Sequence, residues 1–261
     1  MDNKELSVKY RLFLSIISEV VSLNIFISFS GVAREEFAIK FMNFFKKYGL
    51  FCWYDQHELY LGDILKDTII SNGIETADYC ILIINRTYLE RNWPQREAKL
   101  LYERLKENKD YTIFPIFLDI TKEDIKNSDL FFLLDIKYQF LHYGDSIIPI
   151  GHQILNRIFH DIVLKSKFHT LNDALNYFKR LTLSDNIDIY NALCAVNNFD
   201  ETNYKDKSIF LTCLTKLFNK NPYQKTLNMI SYAIYDKQEI TFDMYKIVES
   251  IFLINASIFA V

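Results

Sequence analysis

Glycine does not occur in this sequence after residue 151: all six, Gly31, Gly49, Gly62, Gly73, Gly144 and Gly151, come before that point, and Pro222 is the only proline after Pro149. Turn-forming residues are therefore confined to the first part, which marks a boundary in composition. The four cysteines, Cys52, Cys80, Cys194 and Cys213, contain no CxxC pair, and two lie in strongly apolar runs. Cysteines of that kind pack as small hydrophobes, so they are read as reduced and buried, as in the cytoplasm. Neither charge sign is in excess, with 30 Lys and Arg against 33 Asp and Glu and a net charge of -3. That balance excludes the basic surface that captures nucleic acid phosphates. No apolar run is long enough to span a membrane: Glu19 interrupts "RLFLSIISEVVSLNIFISFSG", and "SIFLINASIFAV" falls short of the roughly 20 residues a bilayer requires. His57, His142, His152, His160 and His169 show no ligand spacing, so no metal is expected.

What remains is 50% hydrophobic and 24% charged, the composition of an ordinary globular protein. Five short apolar runs bounded by turn residues read as strands: "LNIFISFSG", "GLFCWYD", "DYCILIIN", "YTIFPIFLD" and "YQFLHYG". Between them, "AREEFAIKFMNFFKKYG" and "DILKDTIISNG" repeat apolar residues at helical spacing and stop at glycines, and "NWPQREAKLLYERL" is amphipathic. Alternation of this kind specifies an α/β fold, a flavodoxin-like doubly wound parallel sheet of five strands. The glycine-free remainder reads as an all-α region of five amphipathic helices. The expected division is a helix over 1–22, the α/β domain over 23–166 and a helical domain over 167–261.

In open parallel sheets, ligands bind beyond the carboxyl ends of the strands where the winding direction switches. That rule nominates Phe29, Ser30, Gly31 and Arg34 after the first strand, Trp53 and Asp55 after the second, Asn85 at the end of the third, and Trp93 and Glu97 just beyond it. Ser30 and Gly31 either form a simple turn or let a phosphate or ribose approach the backbone. Arg34 pairs with Glu35 or Glu36, or reaches a pyrophosphate as a bidentate donor. Asp63 fits a helix cap better than a ligand site. Trp93 and Glu97 are four residues apart and share one helix face, with Asn92 as the expected cap. Taken alone, Trp93 would serve equally as a core anchor, and Glu97 as a solvated residue beside Arg96 and Lys99.

In order and spacing, "NIFISFSG", "FCWYDQHELYLGD", "ILKDTIISNGIETADYCILIIN" and "YLERNWPQREAKL" resemble the TIR domain family. "FISFS" is similar to its first-strand box and "DQHELYLGD" to its BB loop. Trp93 followed by Glu97 resembles the helix carrying the catalytic acid in NAD-cleaving members, with Pro94 where many members have cysteine.

The resemblance implies an enzyme that splits the nicotinamide glycosidic bond of NAD+. NAD+ would be the substrate rather than a cofactor, and Glu97 the catalytic acid. The product would be ADP-ribose or a cyclic or conjugated signal nucleotide of antiphage defence, sensed by a separate effector protein as in Thoeris-like systems. Nicotinamide leaves as a neutral base, so a single carboxylate that stabilises an oxocarbenium-like ribose suffices, without the second carboxyl group of most glycosidases. The other reading is a non-catalytic interaction module of adaptor type. Self-association through the TIR domain and the helical tail is expected in either case.

Overall fold

The computed structural model describes residues 23–31, 33–53, 73–108, 110–180, 184–218, 221–236 and 238–260. The helix expected over 1–22, Asp55 with the rest of the BB-loop motif, and the helix expected in "DILKDTIISNG" lie outside them.

All five expected strands are present: β1 (Asn24–Ser28), β2 (Phe51–Trp53), β3 (Tyr79–Ile84), β4 (Thr112–Leu118) and β5 (Gln139–Leu141). They pair in parallel in the order β2-β1-β3-β4-β5. The chain moves outward from β1 to β2 and then returns to the other side of β1 for β3, so the winding switches between β1 and β3. Every residue of β3 is buried, as expected for a central parallel strand covered on both faces. Pro115 stands inside β4, where a missing amide would ordinarily break a ladder. It stands opposite Leu82 of β3, and β5 begins to pair only at Ile116.

The helices of this part are α1 (Ile39–Tyr48), entered through a π-helical turn over Arg34–Ala38, then α2 (Arg86–Glu90), α3 (Asn92–Glu107) and α4 (Lys122–Lys126). Alternation along the strands places Phe26 of β1 and Cys80, Leu82 and Ile84 of β3 in one core with Tyr88, Ala98 and Leu101. The helices α2 and α3 therefore cover the face of the sheet to which Ser28, two residues beyond Phe26, also belongs.

The sequence reading missed the short helices α2 and α4 and one longer helix. The helix α5 (Ile148–Leu164) contains both Pro149 and Gly151, residues that mark turns in a sequence. Pro149 sits in the first turn, where an amide has no helical partner. Gly151 is required by packing: a Cβ there would lie 2.5 Å from the ring of Phe44.

The chain divides into two compact units that meet in sequence at Gly151 and His152. The second contains the five helices expected of the tail, α6 (Leu171–Lys179), α7 (Ser184–Asn197), α8 (Tyr204–Thr215), α9 (Gln224–Tyr235) and α10 (Phe242–Phe259). Thr170 and Asp173 close a capping box on α6, and Thr241 caps α10. The helix α10 is buried on nearly every side: Ser257 bonds Leu253 O and the amide of Phe168, Glu249 pairs with Lys246, and Asn255 Nδ2 bonds Ile251 O while its Oδ1 has no hydrogen-bond partner among the described residues. No helix among the described residues is long and apolar enough to cross a membrane. All four cysteines are free thiols, and burial holds those of Cys52 and Cys80 well above the usual range. Cys213 is exposed rather than buried, because it falls on the outer face of α8.

Candidate active site

The buried residues of α3 are Pro94, Glu97, Ala98 and Leu101, a core-facing stripe at helical spacing. Glu97 thus occupies a slot that an apolar residue would ordinarily fill, while Arg96 and Lys99 are exposed. The bland reading of Glu97 as part of a charged surface does not describe its position: it is only 7% exposed. Burying a carboxylate costs several kcal/mol unless hydrogen bonds compensate.

The compensation comes from the end of β1. Ser28 Oγ donates to Glu97 Oε2 at 2.7 Å and lies 2.9 Å from the hydroxyl of Tyr88. Ser28 has one hydroxyl proton and gives it to Glu97, so Tyr88 is the donor in the second bond. Burial, reinforced by the negative charge of Glu97, pushes the Tyr88 phenol well above its ordinary range and keeps it protonated. A relay of donors from Tyr88 through Ser28 therefore ends on the carboxylate.

Asn85 fixes the neighbouring edge. Its Oδ1 caps α2 by accepting from the amide of Tyr88 at 2.9 Å. Its Nδ2 is thereby turned toward Ser30 O at 3.3 Å and the Tyr143 hydroxyl at 3.4 Å. Ser30 is 3% exposed, and its hydroxyl has no hydrogen-bond partner among the described residues. A buried hydroxyl in that state costs about 1–3 kcal/mol, an unmet demand at the point where β1 ends. Gly31 follows with φ 62°, a left-handed conformation. An added Cβ would meet only Thr87, at an ordinary 3.5 Å, so backbone conformation rather than space calls for glycine here.

The other nominated residues are less closely gathered. The Arg34 guanidinium lies over the ring of half-buried Phe29, 5.3 Å from its centroid, a cation–π arrangement. Trp93 is partly buried and packs against the core formed by β1, β3, β4 and α3. Trp53 ends β2, its backbone paired with Phe26. Asn92 is not the expected cap: it is the first residue of α3, and Arg91 holds the cap position without a side-chain cap bond. Sequence reasoning placed Ser28 at the end of the first strand without giving it a role, and missed Tyr88. The alternation of β1 was enough to place Ser28 on the α3 side, but no spacing rule connects Tyr88 to it.

The doubly wound five-stranded sheet matches the TIR fold, and the sequence profile for the TIR domain matches residues 25–147. Those residues are a TIR domain. The stretch is similar to the NAD(+) hydrolase TcpA of Theionarchaea archaeon, at 31% identity over 40% of this chain and 31% of that protein. It is also similar to the 2' cyclic ADP-D-ribose synthase BtTIR of Bacteroides thetaiotaomicron, at 30% identity over 38% of this chain and 34% of that protein. The NAD(+) hydrolase TcpC of Escherichia coli is 28% identical over 38% of this chain and 32% of its own length. The similarity therefore spans about a third of each relative's length.

Proposed function

We propose that this TIR domain cleaves the bond between nicotinamide and ribose in NAD+, with Glu97 as the catalytic carboxylate. The observation that carries the reading is the burial of Glu97 in a core-facing slot, held by Ser28. An interaction module gains nothing from a carboxylate placed there at that cost, whereas a site that stabilises a cationic ribose requires one. The names of the relatives, NAD(+) hydrolase and 2' cyclic ADP-D-ribose synthase, support the same chemistry.

The glycosidic electron pair leaves with nicotinamide, which departs neutral, and the positive charge passes to the ribose. Glu97 stabilises that charge, and the hydrogen bonds from Tyr88 through Ser28 hold its carboxyl group in place. Capture by water gives ADP-ribose and a proton. Capture by a hydroxyl of the same molecule gives a cyclic ADP-ribose and a proton. We propose that the product is an ADP-ribose-derived signal nucleotide in antiviral defence, read by a separate effector; simple hydrolysis to ADP-ribose is the alternative.

The helical unit is proposed to drive self-association, supported by its exposed aromatic side chains Tyr232 and Tyr235, 64% and 84% accessible. A monomeric mass by light scattering under conditions of activity would reject that part. The test of the activity is chromatography with mass detection of purified protein incubated with NAD+, beside Glu97→Gln. Nicotinamide from the native chain alone supports the reading. Equal release by the variant, or none from the native chain with or without infected-cell extract, rejects it.

A further inference from the structure

At the far end of the same edge, the side chain of Tyr143 is held in a manner unusual for a surface tyrosine. Tyr143 is 42% exposed as a residue, yet its hydroxyl is turned to Asn85 Nδ2 at 3.4 Å, and Asn85 also reaches the Ser30 carbonyl. A tyrosine at a protein surface ordinarily sends its polar tip to water and buries the ring. Here the tip is tied inward while the residue stays exposed.

Three further restraints fix that placement. Phe37 packs against the ring in an edge-on arrangement, with centroids 5.9 Å apart at 61°. The Tyr143 amide donates to Asp119 Oδ2 at 2.9 Å, and the other oxygen of Asp119 engages His142 Nδ1 at 2.8 Å. Asp119 itself adopts φ 48°, a left-handed conformation that costs a non-glycine residue energy, and it follows the last residue of β4. The carboxyl end of β4 thereby grips the segment after β5, the segment meets Asn85 at the end of β3, and Asn85 meets the end of β1.

We infer that Tyr143 is a substrate-positioning residue whose ring takes the face of a heteroaromatic base of the dinucleotide. The inference rests on the proposed NAD+ cleavage and names a residue for holding that substrate. A ring already locked at its tip, edge and backbone loses little freedom on stacking, so its contact energy is expressed as affinity. The alternative, that Tyr143 only ties β5 to the sheet, predicts a loss of stability without a specific loss of affinity.

The experiment measures binding of NAD+ by calorimetry to Glu97→Gln, and to the same chain carrying Tyr143→Ala or Tyr143→Phe, with thermal melting of each. The expected result is affinity weaker by about 10-fold or more in Tyr143→Ala, the scale of one base–aromatic stack, and within about 3-fold in Tyr143→Phe, which keeps the ring. Nicotinamide mononucleotide and ADP-ribose, each lacking one base, identify which base is stacked: only the ligand that retains it loses affinity in Tyr143→Ala. Unchanged NAD+ affinity in Tyr143→Ala overturns this inference and leaves the proposed function standing. Equal losses in both variants, accompanied by lowered melting temperatures, overturn it in favour of the structural role. Failure of NAD+ to bind Glu97→Gln at all overturns the inference, and the activity of the native chain then decides the proposed function separately.

Discussion

Ser28 Oγ and Glu97 Oε2 lie 2.7 Å apart, joining the end of the first strand to a helix 69 residues further along the chain. Two independent features converge there: alternation along β1 turns Ser28 to the α3 side, and the spacing of Pro94, Ala98 and Leu101 turns Glu97 to the sheet. The first prediction follows from the cost of that meeting. Glu97→Gln lowers nicotinamide release about 100-fold or more. Its melting temperature holds or rises, because a buried charge is removed while the amide oxygen still accepts from Ser28. A variant that melts well below the native chain would make Glu97 a structural residue.

Removing the hydroxyl of Ser28 has a different signature. Ser28→Ala leaves Tyr88 without its acceptor and Glu97 without one donor, so it destabilises by about 1–3 kcal/mol and slows turnover about 10-fold. Combined with Glu97→Gln, its effect on turnover is far less than the product of the two, because the two residues act as a unit. Steady-state rates and urea unfolding of the four chains check both statements.

The strands were legible in the sequence because the central ones are covered on both faces, so runs such as "YCILII" are apolar throughout. The tail helices α6 and α9 were legible for the related reason that each buries one stripe, whereas α10, buried on nearly every side, was legible as a long apolar run. The helix α5 was not, because Pro149 and Gly151 signal turns in a sequence. Only the close approach of Phe44 explains a glycine within that helix. At the site, Glu97 was legible as part of a motif, but its burial was not. Its surroundings in sequence, Arg96 and Lys99, are charged, and the residues that hold it come from β1 and α2. Asn92 looked like a cap because its residue type fits, yet the helix begins one residue earlier than that choice requires.

Asp119 and His142 form an ion pair at 2.8 Å, and the hydrogen bond to Asp119 holds the imidazole above its ordinary 6.5, aided by the charges of Asp119 and Asp145. The same bond holds the Asp119 carboxyl below its ordinary 3.8. The histidine's contribution to stability is complete below its unfolded value near 6.5 and is lost as pH rises through its raised value. The aspartate's contribution is present above 3.8 and is lost as pH falls through its lowered value. The pair is thus intact between the lowered value of Asp119 and the raised value of His142. Titration of the His142 ring by NMR is expected to show a midpoint above 6.5 that moves back toward it in Asp119→Asn; an unmoved midpoint would show that Asp119 is not the cause.

Alanine is ordinarily the better helix former by about 1 kcal/mol, so Gly151→Ala in α5 would be expected to stabilise if propensity alone decided. Packing reverses the sign. The new Cβ would lie 2.5 Å from Phe44 Cε1, and the Phe44 ring is itself held by Phe45 at 5.3 Å and Tyr48 at 4.8 Å between centroids. A ring so confined cannot move aside without disturbing its neighbours, and overpacking of that kind costs about 1–3 kcal/mol. Gly151→Ala therefore lowers the urea midpoint, and adding Phe44→Leu, which shortens the obstructing side chain, recovers part of the loss. A midpoint raised by Gly151→Ala alone would mean that helix propensity outweighs the contact with Phe44.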